Sequence, residues 1–401
     1  IEKETIKYIM SKCKSSNVFV SKKNIGKFDG LNCNIISNVI QQETSTKIED
    51  IQFESDCDDN SIAEIIFTSG STGKPKGVML SHKNIICNTN SIISYLKLTE
   101  RDIVQVVLPF YYCYGLSLLH THIRVGGALV LNNSFMFLGK IIDDLKKYKC
   151  TGFAGVPSHF QILLRQSKDF KNTEFPHLKY VTQAGGKLHN SFISEFTDAF
   201  PDIKFFVMYG QTEATARLSY LAPEYLHSKL GSIGMGIPGV KLKVVDSEGS
   251  TINNGKVGEI IAKGDNIMIG YLGDKKATNE VIRDGWLFTG DLGKIDKDGF
   301  IFITGRKKGI IKIRGNRISS NEIEEIIMQI PEIINCSVSE TVDDIIGETI
   351  KAEIITNGRN NKISEESIKA YCSQKLTAFK VPRVIEIKTE YKLNGSGKKC
   401  Q

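Results

Sequence analysis

No stretch of this 401-residue chain approaches the roughly 18 uninterrupted apolar residues that a membrane-crossing helix needs. The opening IEKETIKYIMSKCK also lacks the apolar core of a secretory leader, so a cytoplasmic setting is expected. Paired cysteines are missing too. The nine thiols, at 13, 33, 57, 87, 113, 150, 336, 372 and 400, form no CxxC pair, and their odd number suits neither a zinc ribbon nor a disulfide framework. Charge of one sign is nowhere concentrated: a net +7 is spread along the chain without a basic stripe interleaved with aromatics, which argues against a nucleic-acid partner. Neither an internal repeat nor a low-complexity segment is visible. What is left is an ordinary globular composition, 41% hydrophobic and 24% charged, in a chain too long for one core of usual size, so at least two domains are expected.

The chain begins in mid-pattern, with an amphipathic helix-like run (Ile1, Ile6, Ile9, Met10) feeding a strand-like Val18-Phe19-Val20, as if its true beginning were absent. From Ile62 to about Gly155, strand-like runs (IAEIIF, VQVVLPF, GGALVL) alternate with helix-like ones (HKNIICNTNSIISYL, FLGKIIDDLKKY), and this rhythm predicts α/β architecture. It continues through LKYVTQAGG, a helix from about Ser191 to Phe200, and IKFFVMYG. Between about 231 and 304 short strands with Gly and Asp turns dominate, which predicts a β-rich subdomain. Beyond Gly305-Arg306-Lys307-Lys308 the pattern predicts a small α+β domain: a strand pair at IIKIRGNRIS, a helix at NEIEEIIMQI, another strand pair, a helix at EESIKAYCSQKL and a polar tail. The expected domains are therefore 1–307 and 308–401. Gly234 to Gly239 matches GxGxxG formally, but no strand precedes it and a strand follows it, so it reads as a turn of the β-rich part.

The most informative stretch is FTSGSTGKPKGVMLSHKN, Phe67 to Asn84. A strand runs into Thr68, Ser69, Gly70, Ser71, Thr72, Gly73 and Lys74, then a Pro75-Lys76-Gly77 turn, a short strand and a helix opened by Ser81. Small residues let backbone N–H groups approach oxyanions, hydroxyls add donors, and Lys74 and Lys76 supply charge, so phosphate binding is the natural reading. Pro75 stands where a Walker loop needs Ser or Thr for magnesium, which excludes that motif.

This stretch resembles the signature of the adenylate-forming superfamily: acyl-CoA synthetases, luciferases and nonribosomal-peptide adenylation domains. The resemblance extends to the end of the chain. Tyr209-Gly210-Gln211-Thr212-Glu213 is similar to the family's aromatic-Gly-x-Thr-Glu element, which implies Tyr209 on adenine, Thr212 on the α-phosphate and Glu213 on magnesium. Ala184-Gly185-Gly186 matches the turn lining the adenine and acyl sites, Asp291 of TGDLG the carboxylate that takes both ribose hydroxyls, and Arg306 the arginine at the ribose. Lys308 falls at the hinge of a mobile C-terminal domain, Gly315 in a thiol tunnel, and Lys398 of NGSGK on the loop carrying the catalytic lysine. Each residue alone has an ordinary surface or turn reading; their shared order carries the resemblance.

What the resemblance implies is an acid–thiol ligase: ATP and Mg2+ convert a carboxylic acid to acyl-AMP, and the acyl group passes to coenzyme A. The alternatives are transfer to the phosphopantetheine of an acyl carrier protein, or an inactive nucleotide-binding fragment; a luciferase-like oxygenase ranks last. LPFYYCYGL places Tyr112, at the border of the acyl pocket, where relatives commonly have histidine. No aspartate occurs between Val106 and Ile123 to pair with a substrate ammonium, which disfavours an α-amino acid.

Overall fold

The computed structural model describes residues 3–15, 17–28, 33–36, 58–68, 75–132, 135, 137–252, 255–307, 310–313, 316–343, 347–358 and 363–388. They fall into two compact units, Ile1–Lys83 with Met268–Glu280, and Asn84–Ile267 with Val281–Gln401.

The first unit holds the helix Lys3–Cys13, the parallel pair Val18–Val20 and Cys33–Ile35, and a three-stranded antiparallel sheet ordered Gly270–Tyr271, Lys76–Ser81, Ile62–Thr68. Thr68 lies directly opposite Lys76, so both flanks of the Gly/Ser-rich stretch are fixed by one strand pair. The sequence rhythm put IAEIIF in the α/β alternation and Lys76-Gly77 in a turn. Instead Ile62–Thr68 is one arm of a hairpin, and Lys76 and Gly77 already pair within the other. The connection is too short for a parallel crossover, which needs a dozen residues or more.

In the second unit a seven-stranded sheet runs in the order Met235–Gly236, Ser219–Leu221, Lys204–Tyr209, Tyr180–Gln183, Gly152–Gly155, Ile103–Val106, Ala128–Leu131. The last five are mutually parallel. Gly152–Gly155 and Tyr180–Gln183 are buried at every position, as expected of parallel strands covered on both faces. One face is filled by Phe160, which meets Phe153 and Phe196 edge-on with centroids 5.9 Å apart in both pairs. The helix carrying it, Pro157–Arg165, is buried from Ser158 to Arg165 although Ser158, Gln161 and Arg165 recur at helical spacing, and at nine residues it is short. That is why the sequence reading passed over it, as it did the helix Cys113–Val125.

The β-rich stretch forms a separate sheet of Lys241–Val245, Gly258–Lys263, Trp286–Ile295 and Ile282–Arg283, with Ile301–Arg306 paired to Trp286–Ile295. The GxGxxG segment does turn at Pro238-Gly239 into Lys241–Val245, and Gly234 bridges Ile301, but part of it also belongs to the other sheet. Met235–Gly236 pairs with Ser219–Leu221 as the edge strand of the parallel sheet, and Gly234, at φ 77°, sits so close to Tyr220 that a Cβ would lie 1.7 Å from its carbonyl oxygen. Close backbone approach, not dinucleotide binding, explains that glycine.

The C-terminal part contains the hairpin Ile310–Ile313 and Asn316–Ser319, the helices Ser320–Ile327 and Glu365–Lys375, and a sheet of Ile333–Asp343, Gly347–Thr356 and Val384–Lys388. The last strand replaces part of the expected polar tail; it is short and half charged, but pairs in parallel with Gly347–Thr356. This part packs on the parallel sheet's helices through two ionic anchors. Arg165, 9% exposed, donates to the carbonyls of Ile330 and Ile333 and pairs with Glu195. Glu325 accepts from the Asn190 amide at 2.7 Å and faces Lys187 at 2.9 Å and His189 at 3.2 Å.

Burial works to raise the Glu325 carboxyl, but the hydrogen bond from His189 and the charge of Lys187 outweigh it and hold the group down at about 2. A carboxylate depressed in the folded state stabilises fully above its unfolded value of 4.5 and loses that contribution as pH falls toward about 2. Hydrogen-exchange protection factors in Ser320–Ile327 are therefore expected to drop across that acid window in the native chain. In Glu325→Gln they should be lower at neutral pH and flat through the window.

Candidate active site

The carboxyl ends of parallel strands are where an open α/β sheet receives ligands. Four adjacent strands deliver candidate residues there. Ile103–Val106 leads to Leu108–Tyr112, Gly152–Gly155 to Val156, Tyr180–Gln183 to Ala184-Gly185-Gly186, and Lys204–Tyr209 to Gly210-Gln211-Thr212-Glu213. The Ala184 turn is pinned by the Gln183 side-chain amide, which donates to the Gly186 carbonyl at 2.8 Å, and Gly185 takes φ 85°, a conformation that favours glycine. Gly210 has no alternative either: a Cβ there would lie 1.9 Å from the Ala216 carbonyl oxygen.

At the edge of this line the structure brings together three of the expected residues. Asp291, 4% exposed, accepts from the Tyr209 hydroxyl at 2.7 Å on Oδ2 and from Arg306 Nε at 2.9 Å on Oδ1. Asp291 and Arg306 are direct cross-strand partners, whereas Tyr209 reaches over from the parallel sheet. Burial, with the Asp291 charge beside it, holds the Tyr209 phenol well above its ordinary value, so it stays protonated and donates. The turn before Asp291 is fixed by Glu259, which accepts from the Gly290 amide at 3.1 Å and from Lys307 at 3.0 Å.

Thr212 and Glu213 lie on the short 3-10 turn Thr212–Ala214. The Thr212 hydroxyl is buried and directed at Cys113 Sγ, 3.5 Å away. Glu213 is half-buried. The chain then passes through Thr215 at φ 65°, ψ −62°, an unusual conformation for a β-branched residue. Its hydroxyl donates to the Asn266 carbonyl at 2.7 Å, while the Asn266 amide returns bonds to the carbonyls of Ala214 at 3.3 Å and Arg217 at 2.8 Å. Sequence reasoning missed Cys113, Asn266 and Asn88, which also bonds the Arg217 carbonyl, because no local motif marks residues that act from distant segments.

Tyr112 precedes the helix Cys113–Val125 and is half-buried; burial raises its phenol, opposed by the positive charges of Arg217 and Arg306. In the first unit, Lys76 Nζ sits 4.9 Å over the Tyr271 ring, beside a cavity of about 210 Å³ lined by Tyr8, Lys12, Phe67 and Asp274. Of the expected site residues, Ser69, Gly70, Ser71, Thr72, Gly73, Lys74, Lys308, Gly315 and Lys398 lie outside the described residues. No group of three or more His, Cys, Asp or Glu suited to a metal occurs among the described residues. A magnesium ion commonly takes one carboxylate with phosphate oxygens and water, and Glu213 is the carboxylate that the sequence reading offers for it.

Known proteins resemble this chain along most of its length. Residues 1–272 match the AMP-binding enzyme family and residues 322–398 the AMP-binding enzyme C-terminal domain. The chain is 30% identical over 341 residues to a long-chain-fatty-acid–CoA ligase of Escherichia coli O6:H1, covering 84% of this chain and 60% of that protein. It is 32% identical over 346 residues to the putative acyl-CoA synthetase YngI of Bacillus subtilis, covering 85% and 62%. It thus spans about three-fifths of the length of these curated relatives. The fold is shared with the crystal structure of the anthranilate CoA ligase AuaEII in complex with anthranoyl-AMP, with a TM-score of 0.90 at 23% identity, covering 100% of this chain and 79% of that one.

Tyr209 and Arg306 both donate to the buried Asp291 carboxylate, but water can replace the exposed Arg306 donor, whereas the donor from buried Tyr209 has no such substitute. Tyr209→Phe is expected to destabilise the second unit by about 1.5–3 kcal/mol, the usual worth of a hydrogen bond to a charged group. Arg306→Ala, whose side chain is 76% exposed, should cost no more than about 1 kcal/mol. Thermal melting of the two variants side by side checks the order.

Proposed function

The chain belongs to the AMP-binding enzyme family, and from that premise we propose that it activates a carboxylic acid with ATP and passes the acyl group to coenzyme A. The observation that carries this reading is the clasp on Asp291. Each carboxylate oxygen accepts one protein hydrogen bond and retains further acceptor capacity, so the two together suit a vicinal diol such as the ribose of ATP. Arg306 adds a cation at that position, and Tyr209 with Ala184, Gly185 and Gly186 borders the base.

Adenylation then joins two anions. A carboxylate oxygen attacks the α-phosphorus, the bond to the β-phosphate breaks, and pyrophosphate leaves. Thr68 to Lys76 and Lys398 would offset the repulsion and the charge that develops, with Thr212 at the α-phosphate. Glu213 would hold a magnesium ion, which would supply charge neutralisation on the phosphates. In the second step the thiolate attacks the acyl carbon, the bond to AMP breaks, and AMP leaves. A hinge at Lys308, between the 1–307 and 308–401 parts, would let the lysine withdraw while the segment around Gly315 admits the thiol. The names of the relatives support coenzyme A as acceptor.

Pyrophosphate release with ATP, magnesium and hydroxylamine, across fatty, hydroxy, aromatic, dicarboxylic and amino acids, tests the reading. Acid-dependent release is expected, reduced about 10²–10³-fold in Lys398→Ala, the scale of losing one oriented donor. Release with none of the acids, from folded protein that still binds ATP, would overturn it.

A further inference from the structure

Arg217 is a buried charged side chain, eight residues beyond Tyr209, that the mechanism above leaves unused. It is 2% exposed, yet it makes no ion pair among the described residues, and its Nε has no hydrogen-bond partner there. Its guanidinium lies 4.4 Å from the Tyr114 ring centroid, and its bond from Nη1 to the Ala216 carbonyl is a long 3.5 Å. A buried cation without a counter-charge is costly, and a neighbouring aromatic face offsets only part of that cost.

The surroundings are nonetheless organised to hold it there. Two buried amides, Asn88 at 2.9 Å and Asn266 at 2.8 Å, converge on the Arg217 backbone carbonyl, and the strained Thr215 turn sets the direction of the chain into it. Tyr114 is itself fixed, its hydroxyl 2.8 Å from the Thr182 carbonyl at the start of the Ala184 turn. The positive charges of Arg217 and Arg306 both act on the Tyr112 phenol, opposing the rise that burial gives it. Tyr95, which shares a hydrogen bond with the guanidinium, and Tyr114, whose ring it faces, are neutral groups, so the one fixed charge among them suits a ligand held by a single charged end.

We propose that Arg217 determines acid specificity by pairing with a second carboxylate at the distal end of the substrate, so that the preferred acid is a dicarboxylic acid and not a plain alkyl one. This rests on the acid-activation reading and names its substrate class. The reacting carboxylate lies toward Arg306 and the nucleotide, the distal one toward Arg217, with the hydrocarbon between them against the tyrosines. Bidentate pairing with the guanidinium would supply the counter-ion that the fold itself omits.

Titration calorimetry with a non-hydrolysable ATP analogue present tests this apart from turnover. The probes are oxalate, malonate, succinate, glutarate and adipate, each against the monocarboxylate of equal carbon number. At least one dicarboxylate should bind roughly 10²-fold or more tighter than its monocarboxylate, because a site built around a polar partner rejects the analogue lacking it. Arg217→Met should abolish that preference while leaving monocarboxylate binding within a few fold, and Arg217→Lys should restore part of it. Equal or tighter binding of every monocarboxylate, no binding of any acid, or equal weakening of both acids by Arg217→Met would overturn the proposal. Selective dicarboxylate binding without pyrophosphate release would support Arg217 and sink the enzyme reading. Release that favours monocarboxylates and is unchanged in Arg217→Met would do the reverse.

Discussion

A carboxylate buried to the extent of Asp291 is tolerable only with donors on both oxygens, and in this fold the donors come from two different sheets. Tyr209 ends a strand of the parallel sheet, while Asp291 and Arg306 face each other on neighbouring strands of the β-rich one. Satisfying one charge therefore fixes how the carboxyl ends of the parallel strands stand against the second sheet. The clasp is supported behind by Glu259, which holds the Gly290 turn and Lys307 together, and in front by the Gly210 backbone packed against Ala216.

Around that anchor the site is built by close backbone approach. Gly185, Gly210 and Gly234 stand where a side chain would strain the chain or strike a carbonyl, and Thr215 accepts an unfavourable conformation because its hydroxyl and the Asn266 amide hold the turn from both sides. Strain of this kind persists only where several bonds determine it together. Its consequence is a short segment, from Tyr209 to Arg217, that presents a phenol, a hydroxyl, a carboxylate and a guanidinium within nine residues at the end of one strand. The C-terminal part is attached by both kinds of contact: Arg165 and Glu325 supply charge and hydrogen bonds, and Ile323, Ile327, Met328 and Ile333 belong to the same apolar core as Phe160, Leu163 and Phe192.

The sequence carried the α/β class, the β-rich stretch and the C-terminal α+β pattern, because amphipathic rhythm and turn residues are local properties of the chain. It also carried the identity of Tyr209, Asp291 and Arg306 as a set, through motif order and without geometry. Short or ambiguous segments were where the reading faltered: the helix Pro157–Arg165 has only nine residues, and the hairpin arm Ile62–Thr68 has the apolar texture of any buried strand. The edge strand at Met235 and the strand Val384–Lys388 are too short to announce themselves, and they exist because a neighbouring strand offers them hydrogen-bond partners.

By itself, then, the sequence determined the family, the order of the phosphate, hydroxyl and carboxylate elements, and the residue types available for chemistry. Only the tertiary structure decided that Tyr209 donates to Asp291, that Asn88 and Asn266 converge on Arg217, and that this arginine is buried without an acidic partner among the described residues. The reason is physical. Whether a charge is solvated, paired or stranded depends on atoms supplied by segments far apart in the chain, and no local pattern records which of them will meet.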